Sequence, residues 1–394
     1  MRDAMLPTDP PLTGLKVVEL ARILAGPWVG QTLADLGAEV IKVESPDGDD
    51  ARGWGPPFID HDGARSSAYF HSCNRGKRSV SADFTTPEGR ALVIDLIRDA
   101  DVVVENFKVG GLTKYGLDYA SLAAINPRLV YCSITGFGQD GPYASRAGYD
   151  FMIQGMSGIM DLTGDPEGAP QKIGVAFADI FSGLYAVVAI QAALLRRERL
   201  GVGEYIDVAL LDSMVGVLAN QAQNFLATGT APRRMGNAHP NIVPYQTFAV
   251  SDGHVVVACG SDPQFARLSA MLGLAHLADD PASRNNEARV ANRSQLVPVL
   301  ADAIAQWSRA DFLAGMERIG VPAGPINTVA DVFDDPQIRH RGMRIEVDGV
   351  PGLRTPIRFG QAQLALNHAA PRLNRDGAEF EKVGAGQETP PLPG

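Results

Sequence analysis

The sequence predicts an α/β fold, a large doubly wound domain joined to a smaller α+β domain, and three observations carry that prediction. The chain has 394 residues, beyond the size at which one hydrophobic core stops growing. Residues 15–134 alternate short apolar runs with helical stretches, the pattern of a parallel sheet with crossover helices. Farther on, Tyr245–Val250 and His254–Ala258 flank Ser251-Asp252-Gly253, a hairpin signal that belongs to a different, antiparallel unit.

Taken in order, Leu15–Leu20 (LKVVEL) is expected as a buried strand. Pro27 to Gly37 is expected as a helix with proline in its first turn and glycine past its last, and Ala38–Glu44 (AEVIKVE) as a second strand. Such a unit implies a right-handed crossover. Thr86–Arg98 continues as a helix, Asp101–Glu105 as a strand, Tyr119–Asn126 as a helix and Leu129–Ile134 as a strand, completing a Rossmann-like layout. The loop Ala21–Pro27 has one glycine and no G-x-G-x-x-G, so a dinucleotide fingerprint is not supported there.

Ile173–Arg199 is expected as a long helix whose Arg196, Arg197 and Arg199 suit the negative end of its dipole. Asp207–Phe225 is expected as another helix. Thr228–Pro244, rich in Gly, Pro, Asn and Arg, marks a boundary. The predicted division is 1–225 together with 335–394, and 226–334 as the small domain. The tail beyond Pro371 is expected to fray or drape across a neighbour.

A formal charge of −10 opposes binding to nucleic acid or an anionic membrane. Cys73, Cys132 and Cys259 lie far apart without metal or redox spacing, which suits reduced thiols and a cytoplasmic protein. No leader-like N-terminus and no 18-residue apolar run is evident, Gly183–Leu195 being too short to span a bilayer. No metal and no membrane partner are expected.

Five segments set glycine, aromatic and acidic residues at strand ends or in loops: Ala21–Pro27, Asn74–Ser79, Glu105–Gly111, Ser133–Pro142 and Arg146–Asp150. Strand ends are where open α/β sheets bind ligands. Lys42, Arg75, Lys77, Arg78, Lys108 and Lys114 lie near them and could meet a polyphosphate or simply form a solvated face. Asp179, inside VAFADIFSG, is out of place as a solvated charge. On spacing alone it is better explained as a helix N-cap than as a catalytic acid.

The ordered segments LAGP, VIKVE, NRGKRS, TPEGR, ADVVVENF, INPRLVYCSITGFGQDGP, RAGYD and ADIFSGLYA, then GNAHPNIVPYQTF and GVPAGPINTVADVFDDPQ, resemble the class III CoA-transferase (CaiB/BaiF) family over nearly the whole chain. The resemblance implies an interlocked homodimer and an enzyme that uses acyl-CoA and small carboxylic acids as substrates with no permanently bound cofactor. It places Asp179 on the catalytic aspartate. It places Leu24, Ala25, Asn106 and Phe107 at the CoA-contacting loops, Lys114 where a phosphate-binding arginine is usual, and Tyr149 and Asp150 on an aromatic–acid pair beside the nucleophile.

Leu24 replaces the glutamine of formate-handling members, and Gly236-Asn237-Ala238-His239-Pro240 replaces their glycine-only loop. The RxWGPPF stretch at Arg52–Phe58 and IVPYQTF at Ile242–Phe248 resemble the branch that handles dicarboxylic acids such as succinate and glutarate. Within that resemblance Arg233, Arg234 and His239 are candidates for a distal carboxylate, and Gly236 and Asn237 for a closing loop with oxyanion donors. An α-methylacyl-CoA racemase shares the implied fold, but carries histidine where this chain has Tyr149. A non-catalytic CoA-binding protein would have no need of Asp179.

Overall fold

A computed structural model describes residues 6–384. The backbone separates into two units, one of Met1–Ile159, Lys172–Gly229 and Gln337–Gly394, the other of Met160–Gln171 and Thr230–Pro336. The segment 160–171, assigned from sequence to the large domain, thus groups with the small one.

The first unit is built on six parallel strands, β1 (Lys16–Glu19), β2 (Glu39–Glu44), β3 (Arg78–Ser81), β4 (Val102–Glu105), β5 (Val130–Thr135) and β6 (Glu204–Ala209). Their spatial order is β3-β2-β1-β4-β5-β6. The order reverses direction between β1 and β4, and that switch point opens a crevice at the carboxyl ends of the strands. The central strands read as unbroken apolar runs because both faces are covered; Val17, Val102, Val104, Val130 and Cys132 are all fully buried.

Helices α1 (Ala25–Asp35), α2 (Pro87–Arg98) and α3 (Tyr119–Ile125) provide the early crossovers. Helix α2 has the start its sequence announces, with Thr86 Oγ1 accepting from the Gly89 N–H and proline in the first turn. Helices α4 (Asp150–Met156), α5 (Phe177–Leu200) and α6 (Leu210–Gly216) follow. At the end of α5, Arg197 is buried and pairs with Asp101 at 2.9 Å, so this arginine is a structural residue.

Two expectations fail here. The predicted helix over 207–225 begins instead as edge strand β6 and resumes as α6 and Ala219–Thr228. In β6 the alternation buries Ile206 and Val208 while Asp207 stays outside, a period of two where a helical period had been assumed. Helix α5 is also longer and more apolar than the 183–195 run suggested: by length and composition it would pass for a membrane span. Ala186, Ile190 and Ala193 on its inner face are core residues of this unit.

Strand β3 is short and polar, and no sequence signal announced it. Its edge is closed by the chain's own tail: Asp376 accepts the Ser79 N–H at 2.9 Å and Asn374 accepts the Ser81 N–H at 2.9 Å, a covered edge of the kind that prevents strand addition. The tail up to residue 384 therefore drapes across its own sheet, and its remainder lies outside the described residues.

The second unit holds the expected hairpin, Tyr245–Val250 antiparallel to Gly253–Ala258, with Ala323–Pro325 as a third strand. Its core of Phe248, Val255, Phe265, Leu300 and Phe312 is separate from that of the sheet.

Candidate active site

A cleft of about 400 Å³ opens at the switch point, lined by the loops after β1 (Arg22–Ala25), β4 (Asn106–Val109) and β5 (Ile134–Gly136), by Arg146–Asp150 and by Asp179. Four of the five segments singled out from sequence contribute to it. The fifth, Asn74–Ser79, does not.

Two close backbone approaches shape the cleft. A Cβ on Gly148 would lie 2.3 Å from the Cα of Gly136, so the loop after β5 and the Arg146–Asp150 segment touch through bare backbone. A Cβ on Gly183 would lie 3.0 Å from the Ala25 carbonyl and 3.2 Å from the Trp28 ring. That small surface lets α1, which follows the first loop, lie against α5, which carries Asp179.

Asp179 is the third residue of α5 and does not cap it; the capping position is Ala176, without a side-chain bond. The helix is capped from elsewhere. Asp150 Oδ1 accepts the Ala178 N–H at 2.8 Å, and its Oδ2 accepts from Gln154 Nε2 at 2.8 Å. The fully buried Gln154 in turn accepts the Ile173 N–H at 2.9 Å, fixing the chain that leads into the helix.

With that duty discharged by Asp150, Asp179 stands half-buried in the cleft wall. Burial first, and the neighbouring Asp150 charge second, push its carboxyl up to about 7. Asp179 is therefore not the N-cap that its spacing suggested. The same two carboxylates, after burial, push the half-buried Tyr69 phenol above its ordinary value, so Asp179, Asp150 and Tyr69 feel one another's charge.

Asp150→Asn should keep a cap acceptor for Ala178 and remove one like charge. The midpoint of Asp179, followed by carbon NMR of labelled aspartate, is expected to fall from about 7 toward the ordinary carboxylate range. An unmoved midpoint would show that burial alone sets it.

The sequence placed Lys42, Arg75 and Lys77 among cationic residues available to a polyphosphate, and the structure corrects this. All three are buried. Lys42 meets Glu19 at 3.1 Å and Asp49 at 2.9 Å, Lys77 meets Glu19 at 2.8 Å, and Arg75 meets Asp35 at 2.6 Å. Buried cations require such partners, and these charges are already satisfied inside the unit. Arg78 likewise pairs with Glu39 and Asp376.

Asn106 lines the cleft and also holds its wall together. Its Oδ1 accepts the Arg22 N–H at 2.9 Å and its Nδ2 donates to the Arg22 carbonyl at 2.8 Å, so the amide ties the loop after β1 to the loop after β4. Phe107, Leu24, Ala25 and Tyr149 do line the cleft, Tyr149 being 68% exposed. Lys108 lines it and is exposed. Lys114 is exposed over the Tyr115 ring outside the lining.

Arg22 and Arg146 are cleft cations that sequence reasoning did not single out, although both sit at the edges of segments it did. Glu105, the last residue of β4, was missed as a titrating group; burial raises its carboxyl to about 7 while the Phe107 N–H donates to it at 2.7 Å.

Gly236, Asn237, His239 and Arg234 belong to the second unit. Arg234 is not free for a carboxylate: it pairs with Asp161 and donates to the carbonyls of Asp161, Asp165 and Gly168, stapling 161–168 to its own loop. His239 is held below its ordinary basicity by burial and by Arg293, and its Nδ1 accepts the Asn241 N–H at 3.0 Å, so it offers no positive charge at neutral pH. Asn237 donates to Thr247 at 3.2 Å, Gly236 adopts φ of +59°, and Arg233 is exposed.

Comparison with known proteins gives a consistent result. Residues 12–377 match the family described as CoA-transferase family III. Succinate–glutarate CoA-transferase from Agrobacterium fabrum is 53% identical over 378 residues, covering 94% of each chain. Succinyl-CoA:glutarate CoA-transferase from Mus musculus is 44% identical, covering 93% of this chain and 84% of its own. The crystal structure of a CaiB/BaiF family protein from Brucella suis superposes with a TM-score of 0.86 at 67% identity, covering 96% of this chain and 100% of that one.

Proposed function

Because this chain belongs to CoA-transferase family III and is an enzyme of that type, we propose that it moves coenzyme A from succinyl-CoA or a similar dicarboxylyl-CoA to a dicarboxylate such as glutarate. Asp179 is the covalent nucleophile in this reading. The observation that carries it is a carboxylate with no ion-pair partner among the described residues, set in the wall of a cleft at the sheet's switch point.

The Asp179 carboxylate attacks the thioester carbonyl, and collapse expels CoA thiolate and leaves a mixed anhydride. The thiolate then attacks the aspartyl carbonyl, releasing the first acid and forming an aspartyl-CoA thioester. The acceptor acid reverses both steps and regenerates Asp179. A carboxyl raised to about 7 is a more basic nucleophile than an ordinary aspartate, and it is substantially ionised at neutral pH. Each addition develops an oxyanion, for which preorganised N–H donors are needed.

The start of α1 supplies a pair. It has no side-chain cap, Pro27 lacks an N–H, and the N–H groups of Ala25 and Gly26 are left without intrahelical acceptors. Gly26 is required there, since a Cβ would meet that of Ala21 at 2.2 Å. Lys108, Arg22, Arg146 and Lys114 are the proposed phosphate partners. Gly236, Asn237 and Arg233 are the proposed acceptor-side residues, with Gly236→Ala expected to slow transfer to the acid acceptor more than it weakens CoA binding.

A homodimer is part of the proposal. Leu184, Val188 and Leu195 form an apolar stripe on α5, with Val188 and Leu195 65% and 67% exposed, and Phe225 and Leu226 are exposed as well. Faces of this kind mark association sites. The three buried free cysteines accord with a reducing cytoplasm.

Incubation with succinyl-CoA and a panel of dicarboxylates, followed by mass spectrometry, tests the activity. Hydroxylamine added to the acyl-CoA-loaded enzyme should leave a hydroxamate on Asp179. Label elsewhere would remove Asp179 from its role. A panel without any new CoA ester, together with loss of α-deuterium from an α-methylacyl-CoA, would replace transfer with racemisation.

A further inference from the structure

Ile23, in the cleft-lining stretch with Leu24 and Ala25, has φ of +72°. For a β-branched residue this left-handed backbone is strained, and it persists only where the surroundings impose it. The imposing group is buried. Asp49, 3% exposed, receives the Ile23 N–H at 3.2 Å on both carboxylate oxygens, the Ala51 N–H at 3.0 Å on Oδ1 and the Lys42 ammonium at 2.9 Å on Oδ2.

The same network grips the rest of the loop from below. Lys42 Nζ donates to the Ala21 carbonyl at 2.8 Å, and Lys77 Nζ donates to the Pro27 carbonyl at 2.9 Å. Burial alone would depress the Lys42 ammonium, but Glu19 and Asp49 outweigh it and hold Lys42 above its ordinary range. Asp49, for its part, stays below the ordinary carboxylate range despite its burial, through Lys42 and its N–H donors. The Asp49–Lys42 pair is therefore held charged, while burial lowers the basicity of Lys77.

We propose that Asp49 is a positioning residue for the transfer reaction: by holding Ile23 in its strained conformation it sets the bend that starts α1 at Ala25 and aims the Ala25 and Gly26 N–H groups at the thioester oxyanion. This rests on the CoA-transferase reading above and extends it to a residue that does not line the cleft. Every group around the Asp49 carboxylate is a donor. Asparagine at this position either turns its NH₂ against the Lys42 ammonium, keeping Oδ1 for Ile23 and Ala51 but breaking the ion pair that anchors the carboxylate, or turns it against the backbone N–H groups and releases Ile23; both loosen the hold on the loop.

The test compares wild type, Asp49→Asn, Ile23→Gly and the double variant in kcat, KM for succinyl-CoA and melting temperature. Asp49→Asn should lower kcat by about a hundredfold, the size of effect that a misplacement of about 1 Å produces, with a much smaller change in KM. Glycine adopts positive φ without strain, so Ile23→Gly in the Asp49→Asn background should recover kcat severalfold, while the melting temperature lost with the buried ion pair stays lost.

If Asp49→Asn does not fold, Ile23→Pro attacks the same bond from the loop, because proline has no N–H and cannot reach positive φ. It should lower kcat similarly. Asp49→Asn or Ile23→Pro with wild-type kcat, or a double variant slower than Asp49→Asn alone, overturns the inference while wild-type activity leaves the functional reading intact. A wild-type chain that transfers no CoA overturns both.

Discussion

Replacing Asp179 with alanine is expected to lower the rate of CoA transfer by about four orders of magnitude or more, as loss of a covalent nucleophile does elsewhere, with little change in CoA affinity measured by calorimetry. The two results separate because in the proposed mechanism the carboxylate forms the reacting bond, whereas the cleft is lined by four loop segments beside it. Asp179→Asn should be equally inactive, since an amide does not attack a thioester.

The asparagine variant carries a second expectation. Asp179 ionises near 3.8 when unfolded and near 7 in the folded chain, so its charge burdens the native state. That burden is absent below pH 3.8, grows as pH rises through the interval, and is complete above 7. Asp179→Asn should therefore melt at about the wild-type temperature in acid and above it in alkali, a gain that trades against function. Fluorimetric melting across this range measures it; an asparagine variant less stable than wild type above neutrality would show that the carboxylate is better solvated than the structure indicates.

The second large effect is expected at Gly148. Alanine there puts a Cβ 2.3 Å from the Gly136 Cα and 3.2 Å from its N, and neither neighbour is a side chain that can swing aside. The two loops must part. Tyr149 and Asp150 follow directly in sequence, and an ångström of movement there takes the 2.8 Å bond from the Ala178 N–H to Asp150 beyond hydrogen-bond distance. A loss of about a hundredfold in kcat/KM follows from displacements of this size. Gly174→Ala is the control, since nothing lies within 4 Å of its Cβ, and it should be close to wild type. Equal activity in both variants would mean that the loop pair relaxes without disturbing Asp150.

Much of this was legible in the sequence, for reasons particular to each element. The apolar runs of β1, β2, β4 and β5 and the Thr86-Pro87 start of α2 are local signals, because strand burial and helix capping act over a few residues. Strand β6 was misassigned since a half-buried edge strand beside a helix offers only one short alternation, at Ile206 and Val208. Strand β3 was silent because its partner, β2, supplies the reason for its extension. Asp179 was conspicuous as an acid among apolar residues, and the order of motifs along the chain is what its proposed role rests on.

By itself, the sequence determined the doubly wound class, the family, the proposed nucleophile and four of the loops around it, since all of these are written in residue types and short spacings. Only the tertiary structure decided the state of the charges. Lys42 and Lys77 look like surface cations until Glu19, 23 and 58 residues away, is seen beneath them. Asp179 looks like a cap until Asp150, 28 residues from the bonded Ala178, takes that place. Whether a charged group is solvated, paired or left alone in a cavity depends on partners brought from afar, and that pairing sets its energy and its chemistry.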